Sequence, residues 1–250
     1  MPQAKELQYL VCEEAPVELI VNGVTLVTFM CTPQDLKDLA MGHLVARGVV
    51  SNMDEVYTMA ACEDMKKIYV RTGTELEKSQ YGLGSVLASS CGSGSHFREE
   101  FLAQTPNTSD FSMSMAKLKE HAVTMFREAV MHRDTGGMHC AALADGQEVL
   151  AVREDVGRHN ALDKVIGKGV FLSADFGRCA LLSTGRVATD MALKAVAMGT
   201  PIVATRSIPT SMALEIAEKL GITMVGRIAS SQPVVYCHGE RILLEEEQAS

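Results

Sequence analysis

Cys179-Ala180-Leu181-Leu182-Ser183-Thr184-Gly185-Arg186 opens the stretch that decides the fold, which runs on to Thr205. Its first five residues are small or apolar and then give way to polar turn residues. That is the mark of a short strand buried on both faces. Residues 187–198 are rich in Ala, Met and Leu, so they continue as a helix, and Gly199 ends it. Pro201 to Thr205 is apolar again and forms a second buried strand. Downstream the rhythm repeats. Pro209 to Leu220 is a helix stopped by Gly221, and Ile222 to Val225 is a strand. Val234 to Cys237 and Arg241 to Leu243 close the chain as strands. Upstream, Met138 to Leu143 and Val149 to Arg153 are strands around the turn Asp145-Gly146, followed by a helix over 157–170. Such βα units in series predict an α/β fold, a partly parallel sheet with helices on both faces.

Before Gly136 the pattern differs. Val17 to Val21 and Val24 to Met30 read as two strands around Asn22-Gly23, a strong hairpin signal. Thr32-Pro33 suits the start of a helix, with Thr32 as cap and Leu36, Leu39, Ala40, His43 and Leu44 on one face. Two more strands, over 54–61 and 66–72, meet at Glu63-Asp64. Residues 1–75 thus form a small α+β unit, 76–112 a glycine/serine loop and connector, and 113–250 an α/β unit. A single helix is expected from Met115 to His132, capped by Ser114, with His121 and His132 on its surface.

Composition removes several function classes. The net charge of -8 argues against a nonspecific nucleic-acid binder. No apolar run reaches the roughly 20 residues needed to cross a bilayer, and the first ten residues lack the pattern of a signal peptide. The seven cysteines are scattered without Cys-x-x-Cys spacing, so neither a disulfide framework nor a zinc ribbon is expected. Reduced thiols in a cytoplasm fit best.

In α/β sheets ligands bind beyond the carboxyl ends of the strands. Three segments fall there: Arg153 to Asn160, with Asp163-Lys164 one turn later; Ser183 to Arg186; and Thr205 to Ser211. Each ends where a helix begins and carries an Arg, which suits an anion, phosphate above all. Arg158, His159, Arg186 and Arg206 are the candidates. Helix capping with surface salt bridges would produce the same residues. Asp155 with His159 could instead be an acid–base pair of a small-molecule enzyme.

One further stretch, Ser89-Ser90-Cys91-Gly92-Ser93-Gly94-Ser95, contains only small residues around one thiol. It could present an accessible cysteine ahead of a helix starting near His96, where amide dipoles favour thiolate. It could equally be a flexible linker.

Arg153 to Gly167 resembles the formate dehydrogenase accessory protein family, FdhD, also called the sulfur carrier protein family. The likeness continues through Ser183 to Arg186, Arg206 to Ser211 and Ala217 to Ile222, and through Gly136 to His139 and Ala141 to Asp145. The Val21-Asn22-Gly23 hairpin and the Thr32-Pro33 helix also fit, so the resemblance spans roughly 15–243. It implies a three-layer α/β/α sandwich, similar to cytidine deaminases, with an added N-terminal α+β subdomain. It implies a cytoplasmic, dimeric sulfurtransferase that takes persulfide sulfur from a cysteine desulfurase. The sulfur passes to the molybdenum bis(guanylyl-molybdopterin) cofactor, the client of the formate dehydrogenase catalytic subunit. The family's Cys-Gly-x-Cys-Gly loop places its first cysteine, the persulfide carrier, on Cys91, while Gly94 stands where the second would be. Its cofactor-contacting loop falls on Arg227-Ile228-Ala229-Ser230-Ser231-Gln232, where Arg227 alone is charged. The resemblance to deaminases implies no zinc here, because Cys140 and Ala141 follow His139 and no Cys-x-x-Cys is present. With one thiol and one arginine at those loops, a cofactor-binding chaperone that moves no sulfur is the alternative reading.

Overall fold

The computed structural model describes residues 10–74, a strand at 85–87 and residues 105–243. β1 (Ala15–Val21) and β2 (Val24–Cys31) form the expected hairpin. Asn22 and Gly23 both take positive φ, 50° and 83°, the turn that matches strand twist. β3 (Val56–Cys62) and β4 (Lys67–Thr72) follow α1 (Leu36–Ala46). With β5 (Ser85–Leu87) they complete a sheet of order β3-β4-β1-β2-β5, in which β5 runs parallel to β2. Val17, Leu19 and Val21 alternate inward and belong to the same apolar cluster as α1.

α1 begins at Leu36, later than the Thr32-Pro33 start expected from the sequence. Asp35 precedes it in a left-handed conformation and makes no side-chain cap. Thr32 cannot cap because every one of its polar groups is taken. Its N–H donates to Asp155 Oδ2 at 3.1 Å, its carbonyl accepts from Lys164 Nζ at 3.0 Å, and its hydroxyl donates to the Glu13 carbonyl at 3.0 Å and accepts the Val156 N–H at 3.3 Å.

β6 (Met113–Ser114) pairs with β13 (Ile242–Leu243) near the chain's end. α2 (Met115–Glu128) and α3 (Val130–Thr135) lead into the larger sheet. One helix was expected over 115–132, but the chain breaks at Ala129. The Glu154 carboxylate causes the break: it accepts the backbone N–H groups of Met131 and His132, at 3.1 and 2.5 Å, and so supports a new helix start. His121 is buried rather than on the surface, with Nε2 3.1 Å from the Asp145 carbonyl, and burial lowers its pKa. His132 is half-buried and meets the Met138 carbonyl through Nδ1. The turn after β7 closes over α2, a contact that helical periodicity does not report.

β7 (His139–Ala144), β8 (Val149–Asp155), α4 (Arg158–Phe171), β9 (Ala180–Ser183), α5 (Thr189–Ala197), β10 (Ile202–Thr205), α6 (Ser211–Leu220), β11 (Thr223–Gly226) and β12 (Val234–Cys237) alternate as predicted. The sheet order is β12-β11-β10-β9-β7-β8, with β9, β10 and β11 parallel and the remaining pairs antiparallel. Cys140, Ala142, Leu182 and Ala204 face α2, where Leu118, Ala122 and Met125 meet them. Ala141, Leu143, Leu181 and Val203 face the other way, toward α4, α5 and α6. Helices therefore cover both faces.

α1 crosses α4 at near-backbone distance. A methyl group at Gly42 would overlap the Asp163 carbonyl, and one at Gly167 would overlap the Asp38 carbonyl. Beside the crossing, Asp163 is buried between His43, 3.3 Å away through Nδ1, and Lys194, 2.6 Å away. Burial alone would raise the Asp163 pKa, but Lys194 and His43 outweigh it and hold the carboxyl at about 2. Burial also lowers the His43 pKa to about 4, against the pull of Asp163. A carboxylate only accepts, so neutral His43 carries its proton on Nδ1.

Candidate functional site

β8, β9, β10 and β11 all end at one edge of the larger sheet, because β7 runs antiparallel to both β8 and β9. The turns leaving that edge carry Arg158 and His159 at the start of α4, Arg186 after β9, Arg206 after β10 and Arg227 after β11. Topology therefore gathers at one edge the residues that the sequence places in separate loops.

The loops brace one another through backbone bonds. Arg206 N–H donates to the Ser183 carbonyl at 2.9 Å, Arg227 N–H to the Ser207 carbonyl at 2.8 Å, and Ile228 N–H to the Thr205 carbonyl at 3.0 Å. The Thr205 hydroxyl donates to the Gly185 carbonyl at 2.5 Å. Arg186, Arg206 and Arg227 extend outward and are exposed. Arg206 lies over the Phe126 ring of α2, 5.8 Å from its centre. Ala229, Ser230, Ser231 and Gln232 are exposed as well, whereas the Ile228 side chain is 1% exposed and packs in the core. Ile228 thus anchors its loop and cannot meet a ligand with its side chain.

Arg158 and His159 are held differently. The Arg158 stem lies across Gly185, where any side chain would overlap it. That close approach is the reason for glycine in Ser183-Thr184-Gly185. Among the described residues, Arg158 Nε and His159 Nδ1 are buried without a hydrogen-bond partner. His159 Nε2 sits 2.7 Å from Asp190 Oδ2, close but poorly aligned for a hydrogen bond. Burial would raise the Asp190 pKa, yet His159 and Lys194 keep it below the usual range. His139, at the start of β7, meets the Thr184 hydroxyl at 3.2 Å through Nδ1. Burial and the Arg158 cation lower its pKa.

The Asp155–His159 pair considered from the sequence does not form. Asp155 is fully buried against Lys164, 2.7 Å away, and His159 pairs with Asp190 instead. Burial raises the Asp155 pKa, while Lys164 and the N–H donors of Gly157 and Asn160 oppose it. Asp190 and Phe126 were not legible as site residues. Asp190 in the first turn of a helix looks like ordinary dipole compensation, and Phe126 belongs to an apolar stripe.

Among the described residues no group of three His, Cys, Asp or Glu side chains could hold a metal ion. A cleft of about 720 Å³ opens at the opposite edge of the sheet, between Phe111, Asp145, Glu148, Asp175 and Arg178. It touches none of the candidate residues. Cys91, with Ser89 to Ser95 around it, lies outside the described residues.

Arg186, Arg206 and Arg227 stand exposed in turns at one edge of the sheet, with the Arg158 stem packed behind them, an arrangement of cations in an α/β protein that suits an anionic ligand. The chain belongs to the FdhD/NarQ family, whose model matches residues 12–243. It is similar to the sulfur carrier protein FdhD of Bacillus subtilis, 33% identical over 236 residues that cover 92% of this chain and 88% of the relative. The sulfur carrier protein FdhD of Bacillus pumilus is 33% identical over 239 residues, covering 93% and 90%. The crystal structure of a protein from Desulfotalea psychrophila described as a formate dehydrogenase accessory protein matches with a TM-score of 0.75. It is 26% identical and the match covers 92% of this chain and 90% of that one.

Proposed function

We propose that this protein is a sulfur carrier for formate dehydrogenase maturation, with Cys91 as the thiol that carries the sulfur. A Cys91 thiolate attacks the outer sulfur of a cysteine desulfurase persulfide. The desulfurase thiolate leaves, and Cys91 holds the sulfane sulfur. The client is the molybdenum bis(guanylyl-molybdopterin) cofactor, bound at the carboxyl edge by Arg158, His159, Arg186, Arg206 and the loop Arg227 to Gln232.

The pairing of β5 with β2 carries this reading. Leu87 lies beside Phe29 and runs in the same direction. Three residues after Phe29, Thr32 is hydrogen-bonded to Asp155 at the carboxyl edge. Cys91 follows Leu87 by four residues, a tether of at most about 14 Å. Leu87, the last described residue before that stretch, thus lies along β2 three residues short of Thr32, which supports a short reach to the Arg158–His159 turn. The buried thiols offer no rival: burial raises Cys31, Cys140 and Cys179 to about 12, so they stay protonated.

Incubation with a cysteine desulfurase and cysteine, followed by mass spectrometry, tests the proposal. Wild type gains about 32 Da on the Cys91 peptide, and Cys91→Ala gains nothing. An adduct unchanged in Cys91→Ala overturns the carrier role. Gly94, in place of a second cysteine, keeps one other reading open, a cofactor chaperone that moves no sulfur. On that reading Cys91→Ala still matures formate dehydrogenase in cells.

A further inference from the structure

Arg206 differs from the other arginines of the carboxyl edge in what holds it. Its backbone N–H is tied to the Ser183 carbonyl at 2.9 Å. Its exposed side chain meets no carboxylate among the described residues, whereas Arg127, Arg133, Arg153 and Arg178 each do. What Arg206 meets is the Phe126 ring, with Cζ 5.8 Å from the ring centre, within reach of a cation–π attraction. Among the described residues no aromatic ring meets Arg158, Arg186 or Arg227.

Phe126 is itself fixed by its surroundings. It is half-buried in the last turn of α2 and packs against the cluster of Leu118, Ala122 and Met125. The Glu154 carboxylate starts α3 just beyond, which brings the His132 ring to 6.0 Å from Phe126 at a tilt of 40°. His132 is anchored in turn through Nδ1 to the Met138 carbonyl. The ring is therefore held by the fold, and Arg206 is held by the ring.

This pairing bears on what Arg206 receives. The face of a phenyl ring carries partial negative charge, so Phe126 opposes a phosphate at Arg206. An uncharged planar ring meets no such opposition, and it stacks well on a guanidinium. Arg158, Arg186 and Arg227, which no ring accompanies, suit the phosphates better.

We propose that Arg206, steadied by Phe126, is a stacking platform for the fused heteroaromatic ring of the bound nucleotide, while the other arginines of the edge take its phosphates. The proposal rests on the cofactor edge proposed above. It goes further in dividing the arginines by task and in making Phe126 a positioning residue that acts through Arg206.

The test measures binding of GDP and of inorganic pyrophosphate, which has the charge without the ring, by calorimetry on the full chain. Arg206→Lys keeps the charge and loses the planar group. It weakens GDP at least about 5-fold, the low end for stacking of one base, and leaves pyrophosphate within about 2-fold. Phe126→Leu behaves the same way, and Phe126→Tyr, which keeps the ring, holds GDP affinity at the wild-type value. Where pyrophosphate is too weak to titrate, Leu against Tyr at position 126 decides, because neither changes a charge. If Phe126→Leu does not fold, Arg206→Lys at an exposed position decides. Equal losses for the two ligands make Arg206 a phosphate contact and overturn the proposal. Unchanged GDP affinity in Arg206→Lys and Phe126→Leu overturns it too, as does wild type that binds pyrophosphate but not GDP. Wild type that binds neither overturns the cofactor edge itself, so the two failures are distinct.

Discussion

At the residue scale, the candidate site is made by what each side chain leans on. Arg158 keeps its position because Gly185 has no side chain to obstruct its stem. On the proposed cofactor role, Gly185→Ala displaces Arg158 and weakens binding of GDP, a fragment of the guanylyl cofactor, by about 10-fold, roughly 1.4 kcal/mol, as expected for one charge-assisted contact. Calorimetry checks the affinity, and a melting curve unchanged within a few degrees shows that the loss is local. Arg158 and His159 stood out in the sequence because they follow a strand and open a helix. Their supports did not. Asp155 and His159 are close enough in sequence to suggest an acid–base pair, yet burial gives Asp155 to Lys164 and turns His159 to Asp190.

At the element scale, most helices and strands were legible because their periodicity and stop signals are local. Gly199 and Gly221 follow α5 and α6 with positive φ, as their sequence positions imply. The misplacements share a cause. Thr32 fails as a cap because its hydroxyl accepts the N–H of Val156, and α2 ends before its apolar stripe does because the Glu154 carboxylate takes the N–H groups of Met131 and His132, partners distant in sequence in both cases. The α1–α4 crossing is equally nonlocal. Gly42 and Gly167 look like helix-weakening residues until the two backbones are seen to touch. Gly167→Ala forces them apart and costs about 3 kcal/mol or more, as for overpacking against backbone. Urea unfolding measures the loss. A change below about 0.5 kcal/mol, ordinary for a surface position, refutes the close packing.

At the scale of the whole molecule, acid stability reports the buried network between α1, α4 and α5. The folded state holds His43 at about 4 against an ordinary 6.5. The unfolded chain thus binds the proton more tightly between those values, and stability falls as pH drops from about 6.5 to about 4. The shift corresponds to about 3 kcal/mol. Asp163, held at about 2 against an ordinary 3.8, adds a second loss between those two values. Urea midpoints from pH 7 to 4 show the first decline in wild type, and His43→Gln flattens it. A midpoint independent of pH over that window contradicts the assignment.

The sequence by itself determined the alternation of strand and helix from Gly136 onward, the Asn22-Gly23 hairpin and the loops in which arginines follow strands. These depend on neighbours a few residues apart, through turn geometry, capping and periodicity. Only the tertiary structure decided that the four arginine-bearing turns share one edge, that β5 lies beside β2, and that Asp155 belongs to Lys164 and Thr32. Those facts depend on strand order and on the desolvation of charges, and burial sets both by bringing together residues more than a hundred positions apart, such as Thr32 and Asp155.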